Sequence, residues 1–313
     1  MEELQKINRR KFIKAGSIAT ASLVLSAYSL DALAASDMQQ LTILHTNDVH
    51  SRIEPFPMDG TKNQGLGGAA RRAALIKKIR AEHDNVLLLD AGDIFQGTPY
   101  FNLFGGELEM KLMSQMGYDA STMGNHDFDN GIDGFYKQLQ NANFPILVSN
   151  YDFSNTVLHS SVKPYQIFNK KGLKIGVFGL GIELVGLVDP KNCKETQYLD
   201  PIKKANDIAS LLKNDIKCDL VICLSHLGYK YNGNKVSDLV LAKSTRNIDL
   251  IIGGHTHTFL EQPEDITNLD GQVTTVNQVG WAGINLGRID YFFEKRNGKK
   301  IKSASQYTIS NSI

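Results

Sequence analysis

Cysteine is scarce in this chain and its spacing carries no motif: Cys193, Cys218 and Cys223 are the three among 313 residues, with no CxxC pair. That spacing argues against a thiolate zinc site. Cys218 and Cys223 flank the apolar segment 219–222, a setting for buried strand residues rather than a bridge. Any metal chemistry must therefore use nitrogen and oxygen donors. Excess charge is lacking as well. The formal charge is +1, and it becomes −1 once Lys6, Arg9, Arg10, Lys11, Lys14, Glu2, Glu3 and Asp31 of the first 34 residues are set aside. A near-neutral chain has no electrostatic footprint for a nucleic-acid backbone, which excludes a nucleic-acid polymer as partner. Long runs of like charge are absent, so no disordered tail is expected. Past residue 34 no apolar run reaches the ~20 residues of a membrane span. The glycine-rich stretches 65–68 and 253–254 have neither G-x-G-x-x-G nor Walker spacing, so they are not nucleotide loops.

What is present begins with an export signal. Asn8-Arg9-Arg10-Lys11-Phe12-Ile13-Lys14 precedes an uncharged stretch, 15–30, and Ala32-Leu33-Ala34 matches a small-x-small cleavage site. Paired arginines before a moderately apolar segment predict a twin-arginine signal over residues 1–34, with the twin-arginine machinery as partner and the periplasm as destination. An uncleaved N-terminal anchor is the alternative. This route carries folded proteins, which suits a chain that takes up metal before export. Residues 35–40 read as a short linker, and 41–313 as one large domain with a substantial core.

From Leu41 onward, short apolar segments alternate with helical patterns. Strands are expected at 41–44, 86–89, 120–123, 145–149, 165–168, 173–180, 220–224 and 250–252. Helices are expected at 71–83 with Ala74, Leu75 and Ile79 inward, at 107–116 with Leu108, Leu112 and Met116 at helical spacing, and at 132–140. Asp200-Pro201 supplies an N-cap and a first-turn proline for a helix reaching about residue 212, and a further helix lies around 237–243. Segments 273–279 and 287–293 alternate with period two and read as late antiparallel strands. The rhythm predicts an α/β sandwich of two mixed sheets flanked by helices.

Chemistry-bearing residues gather at the ends of these strands. Gly124-Asn125-His126-Asp127-Phe128-Asp129 follows the 120–123 segment and offers an amide, an imidazole and carboxylates, where open α/β sheets place their sites. A carboxylate three positions after His126 can orient it as a proton donor. The same vocabulary recurs in Asn47-Asp48-Val49-His50, in Gly92-Asp93, in Ser225-His226 and in Gly253-Gly254-His255-Thr256-His257. Asp48-x-His50 and His255-x-His257 project two ligands to one side of an extended segment. Asp93, isolated after glycine, has two oxygens with which to bridge two cations. Imidazole, carboxylate and amide without sulfur suit Zn, Mn, Fe, Co or Ni alike. Outside these loops, His45 is expected to pack or hydrogen-bond locally, Trp281 to pack in the core rather than stack on a base, and Arg288 to pair structurally; His83 and His159 receive no role.

D-x-H, G-D, G-N-H-D, a lone H and G-G-H-x-H in this order resemble the calcineurin-like metallophosphoesterase superfamily. "LTILHTNDVHSRIEP", "GDIFQGTP", "GNHDFDNG", "GGHTH" and "GWAGINLGRID" are similar to the catalytic domain of bacterial 5′-nucleotidases and related UDP-sugar and cyclic-phosphate hydrolases, over residues 41–295. The resemblance implies two divalent ions. Asp48, His50, Asp93 and His257 would hold one, and Asp93, Asn125, His226 and His255 the other. His126 would be general acid or transition-state stabiliser, oriented by Asp129, and Asp127 structural. Nucleotidase relatives often carry Gln at the position of His257 and Glu at that of Asp127. The implied reaction is hydrolysis of phosphate monoesters, 5′-nucleotides or related nucleotides, by hydroxide held between the ions. Cyclic-nucleotide or nucleotide-sugar diester hydrolysis, or a non-catalytic metal-binding subunit, are the alternatives. In full-length nucleotidases a C-terminal domain supplies arginines and an aromatic pair for the substrate. This chain stops at Ile313, so a separate specificity subunit or broad stand-alone specificity is expected, with a truncated product as the third reading, in an exported enzyme that scavenges phosphate or nucleosides.

Overall fold

A computed structural model describes residues 38–233, 235–294 and 300–311. The signal-peptide expectation for 1–34 lies outside the described residues. The described residues 40–292 and 301–311 belong to one compact unit, which holds all that follows about the core and the site.

The strands are β1 (Met38–Thr46), β2 (Val86–Asp90), β3 (Ala120–Ser121), β4 (Tyr151–Asp152), β5 (Tyr165–Lys170), β6 (Leu173–Leu180), β7 (Gln197–Tyr198), β8 (Leu220–Ser225), β9 (Leu250–Gly253), β10 (Glu264–Thr267), β11 (Val273–Asn277), β12 (Asn285–Glu294) and β13 (Lys300–Thr308). The helices are α1 (Ala69–Glu82), α2 (Pro99–Phe104), α3 (Glu107–Met116), α4 (Gly131–Gln138), α5 (Pro190–Cys193), α6 (Pro201–Ser210) and α7 (Asp238–Ser244). One sheet orders as β13-β12-β1-β2-β3, a second as β10-β11-β9-β8-β6-β5, and β4 pairs β7. β1, β2 and β3 run parallel, as do β6, β8, β9 and β11; β5 and β10 are antiparallel edges. This is the expected α/β arrangement of two mixed sheets with helices.

Period-two alternation sorts the strand residues into two buried faces. On the first sheet, Leu44 and Leu88 pack with Leu75 and Ile79 of α1, Met110 and Met113 of α3, and Ile132 and Phe135 of α4. On the second, Phe178, Val221 and Ile251 pack with Ala205 and Ala209 of α6 and Leu241 of α7. The alternate set (Ile43, Leu87, Leu89, Val177, Ile222 and Ile252) is also fully buried. A strand apolar on both faces belongs inside a layered α/β fold. His45 of β1 hydrogen-bonds Asn277 of β11, tying one sheet to the other.

Local signals explain the elements that matched. Asp200 caps α6 by accepting from the Ile202 and Lys203 amides, with Pro201 in the first turn. Ser237 caps α7 in the same manner. Where the structure differs, the causes are tertiary. Ala74 is exposed, because α1 buries Arg72, Leu75, Ile76 and Ile79. In α3 the buried stripe is Glu109, Met110, Met113 and Met116, with Leu108 and Leu112 half-buried. Segment 145–149 makes single bridges, Ile146 to Ser121 and Leu147 to Lys163, because its neighbouring residues pair with different partners and no ladder forms. β11 and β12 sit in different sheets, and β11 runs parallel to β9. All three cysteines are free; Cys223 is buried in β8 and Cys218 is buried just before it.

Candidate metal centre

Five strands, parallel within each of the two sheets, end at the same place. The loops after β1, β2, β3, β8 and β9 carry Asp48 and His50, Asp93, Asn125 and His126, His226, and His255 and His257. Main-chain bonds lock the first two loops together: the Asp48 amide donates to Gly92 O at 2.9 Å and the His50 amide to Asp93 O at 3.0 Å. Close packing is secured by glycine. A Cβ at Gly124 would stand 2.1 Å from Asp93 Oδ1 and 2.6 Å from the His226 ring.

Two donor clusters result. Ligand atoms of Asp48, His50 and His257 lie within 4.8 Å of one another, as do those of Asp93, His226 and His255. Asp93 lies between them: its Oδ2 is 3.1 Å from His226 Nε2 and 3.7 Å from His50 Nε2. Asp48 Oδ1 reaches 3.4 Å from His257 Nε2 and 3.9 Å from His226 Nε2. Asn125 Oδ1 and His255 Nδ1 are 2.8 Å apart, which brings the amide to the second cluster.

The rings are presented as ligands. His226 Nδ1 donates to Ala91 O at 2.7 Å and His50 Nδ1 to Phe95 O at 3.1 Å. A carbonyl only accepts, so each Nδ1 carries hydrogen and each Nε2 is left for an ion. His226 Nε2 is fully buried beside Asp93 Oδ2, yet out of line for a hydrogen bond. A buried nitrogen of this kind, among carboxylate oxygens and further imidazoles, fits a divalent cation of nitrogen and oxygen preference. The electrostatics agree. Burial opposes charge on His226, but Asp93 and Asp48 outweigh it and push its pKa up to about 10. Burial likewise opposes charge on Asp93, which His226 and His50 nonetheless hold below the usual carboxylate range. Burial and the neighbouring His226 push His255 down to about 4, and burial lowers His50. Positive charge is thus drawn to the carboxylates, by a proton or by an ion that displaces it.

His126 begins a 3-10 turn, His126–Phe128. Its amide donates to Asp93 Oδ1 at 2.8 Å, and its ring centroid is 5.2 Å from that of His50. Nδ1 bonds Asp129 Oδ2 at 2.8 Å, and this bond raises the His126 pKa. Nε2 is left to hold or deliver a proton. Asp127 is fully buried and turned away from this work: it accepts from the amides of Asp93, Ile94, Phe95 and Gly124 at 2.8–3.2 Å.

The model of the calcineurin-like phosphoesterase family matches residues 41–259. The chain belongs to that family. A snake venom 5′-nucleotidase from Gloydius brevicauda is 36% identical over 297 residues, covering 87% of this chain and 48% of that protein. The crystal structure of a 5′-nucleotidase precursor from Thermus thermophilus superposes with TM-score 0.78 at 30% identity, covering 88% of this chain and 55% of the other. The calcineurin-like phosphoesterase YfkN from Bacillus subtilis gives TM-score 0.72 at 26% identity, over 88% and 92%. The chain spans about half the length of the curated relatives it matches.

Residues outside the two clusters sort into supports. His45 is fully buried and bonds Asn277 at 2.9 Å. Arg288 pairs with Asp290 and contacts His83 and Tyr307. Trp281 departs from the expectation of core packing: it is half-buried, and its ring stacks on that of His257, with centroids 5.5 Å apart and planes 5° from parallel. Asn47 and Gln278 are supports that the motifs do not announce. Asn47 bonds Asp48 Oδ2, Gly280 O and the Val279 amide. Gln278 donates to Gly254 O at 2.6 Å and accepts from the Thr258 amide. Asn47 borders the Asp48–His50 pair without an expected role of its own, and Gln278 lies outside every motif. A cavity of about 310 Å³ lined by residues including Ser149, Asp152, His159 and Lys204 shares no residue with the clusters.

Proposed function

We propose that the chain hydrolyses phosphate esters at a two-ion centre, held by Asp48, His50, Asp93 and His257 on one side and Asp93, Asn125, His226 and His255 on the other. The observation that carries this is the meeting of both donor clusters at Asp93, with the His126 amide bonded to the same carboxylate. Bound divalent ions would supply Lewis acidity and an activated water at neutral pH. The chain's own groups do the rest. Buried Asp48 and Asp93 fix the charge of the site, while Ala91 O and Phe95 O fix the tautomers of His226 and His50. The Asn125 amide and the His126 ring stand where charge grows on the phosphoryl oxygens. His126, held by Asp129, delivers a proton from Nε2 to that oxygen or to the leaving alkoxide.

A nucleotide monoester is the substrate class we favour, supported by relatives named 5′-nucleotidase. Turnover of AMP, p-nitrophenyl phosphate and bis-p-nitrophenyl phosphate, with chelator and then with added Mn or Zn, tests the reading. Chelator-sensitive monoester cleavage is expected. Diester preference would move the assignment to phosphodiesterase, and no metal-dependent turnover would leave a binding subunit. The Arg9-Arg10 pattern supports twin-arginine export to the periplasm, and Arg9→Lys with Arg10→Lys should keep the protein in the cytoplasm on fractionation. Among the described residues no helix is long and apolar enough to cross a membrane.

A further inference from the structure

The proposed ligand histidines are not all oriented alike. His50 and His226 are each aimed by an Nδ1 hydrogen bond to a main-chain carbonyl. Among the described residues His257 makes no such bond, and its side chain is 39% exposed. His257 Nε2 lies 3.0 Å from His50 Nε2, but that is the atom an ion would claim, so among the described residues no hydrogen bond at Nδ1 aims the ring. What His257 has on its face is a flat neighbour, Trp281, in a nearly parallel stack.

That neighbour is itself held firmly. The residues on either side of Trp281 are strapped to the two ligand loops: the Ala282 amide donates to Asp48 O at 2.7 Å, and the Gly280 amide to Thr258 O at 2.9 Å. Asn47 adds bonds to Gly280 O at 2.5 Å and from the Val279 amide at 3.0 Å. The indole also meets Phe56 edge-on at 5.8 Å, and the Arg52 guanidinium covers Phe56 at 4.2 Å. Trp281 is therefore fixed to the loop of Asp48 and His50 while its face rests on His257. We propose that Trp281 is a positioning residue, whose stacked face sets the His257 ring toward the cation site of Asp48 and His50. The proposal rests on the two-ion reading above.

Trp281 is the one tryptophan of the chain, so all indole emission comes from this position, and His257→Ala isolates the part owed to the His257 contact. The experiment is a Zn²⁺ titration of the metal-stripped full chain, following bound metal and indole emission together. Zn²⁺ is d¹⁰, so an emission change reflects the neighbouring ring rather than a d–d acceptor. In the unmodified protein emission should change as the ion binds, and the change should vanish in His257→Ala. Trp281→Leu should weaken one of the two sites by ~10–100-fold, Trp281→Phe should restore it, and Trp281→Leu should add nothing to His257→Ala. Unchanged Zn²⁺ affinity in folded Trp281→Leu would overturn the proposal, as would an emission change that persists in His257→Ala. Should Trp281→Leu fail to fold, the His257→Ala emission and Trp281→Phe affinity decide. Two tight ions in Trp281→Leu would overturn this inference and leave the two-ion reading standing; no Zn²⁺ uptake by the unmodified chain would overturn both.

Discussion

Five of the proposed ligands hold left-handed backbone: φ is 51° at Asp48, 51° at His50, 55° at Asp93, 72° at His255 and 52° at His257. Such angles cost a residue with a Cβ about 1–2 kcal/mol each, and they persist where surrounding bonds over-determine them. The backbone bends so that side chains from different loops point inward to one place. Removing a side chain from that place separates roles. His126→Ala should keep both ions and lose ~10²–10⁴-fold in turnover, whereas Asp93→Asn should lose ions and turnover together; metal analysis beside initial rates checks both. Unchanged turnover in metal-loaded His126→Ala would remove His126 from the reaction. His45, outside the centre, contributes to acid sensitivity. Burial pushes its pKa down to about 3, against about 6.5 in an unfolded chain. The unfolded state therefore binds the extra proton between those values. The stability contribution is full above pH 6.5 and is lost as pH falls toward 3, up to about 2 kcal/mol by pH 5. Urea unfolding at pH 7.5 and pH 5 should show a shallower pH dependence for His45→Gln than for the unmodified chain.

At the scale of the element, the loops matter more than the strands they follow. Gly124 is the tightest point: alanine there would press a methyl against Asp93 Oδ1 and His226. Gly124→Ala should destabilise the fold by ~1–3 kcal/mol and expel metal, as read by melting and by metal content. The elements legible in the sequence were those whose residues announce them locally, such as α6 with Asp200-Pro201 and β6 with its buried apolar run. β10 and β13 were not legible, because an edge strand half open to water carries polar residues on both faces: β10 buries only Ile266 of four. Nor could periodicity tell that β11 and β12 belong to different sheets, since partner choice is settled by distant chain. The candidate ligands were legible because each loop repeats the same residue types at a strand end. Gln278 and the Trp281 stack were not, because their partners are remote in sequence.

At the scale of the molecule, each donor cluster draws on both sheets. Asp48, His50 and Asp93 come from loops of the β1–β2 sheet, and His226, His255 and His257 from loops of the β8–β9 sheet. An ion bound in either cluster links the two layers, so binding favours the folded state by mass action: about 4 kcal/mol at a thousand times its dissociation constant. Chelation should lower the melting temperature by roughly 8–16 °C for a domain of this size, and Zn or Mn should restore it. An unchanged melting curve would mean that no ion spans the layers.

One consequence follows for the order of events in the protein's life. Since the two halves of each cation nest lie on strands paired in separate sheets, neither sheet alone owns a complete nest. Loading would then follow the docking of the two sheets, and a stripped molecule should refill at a rate proportional to free cation, without first coming apart.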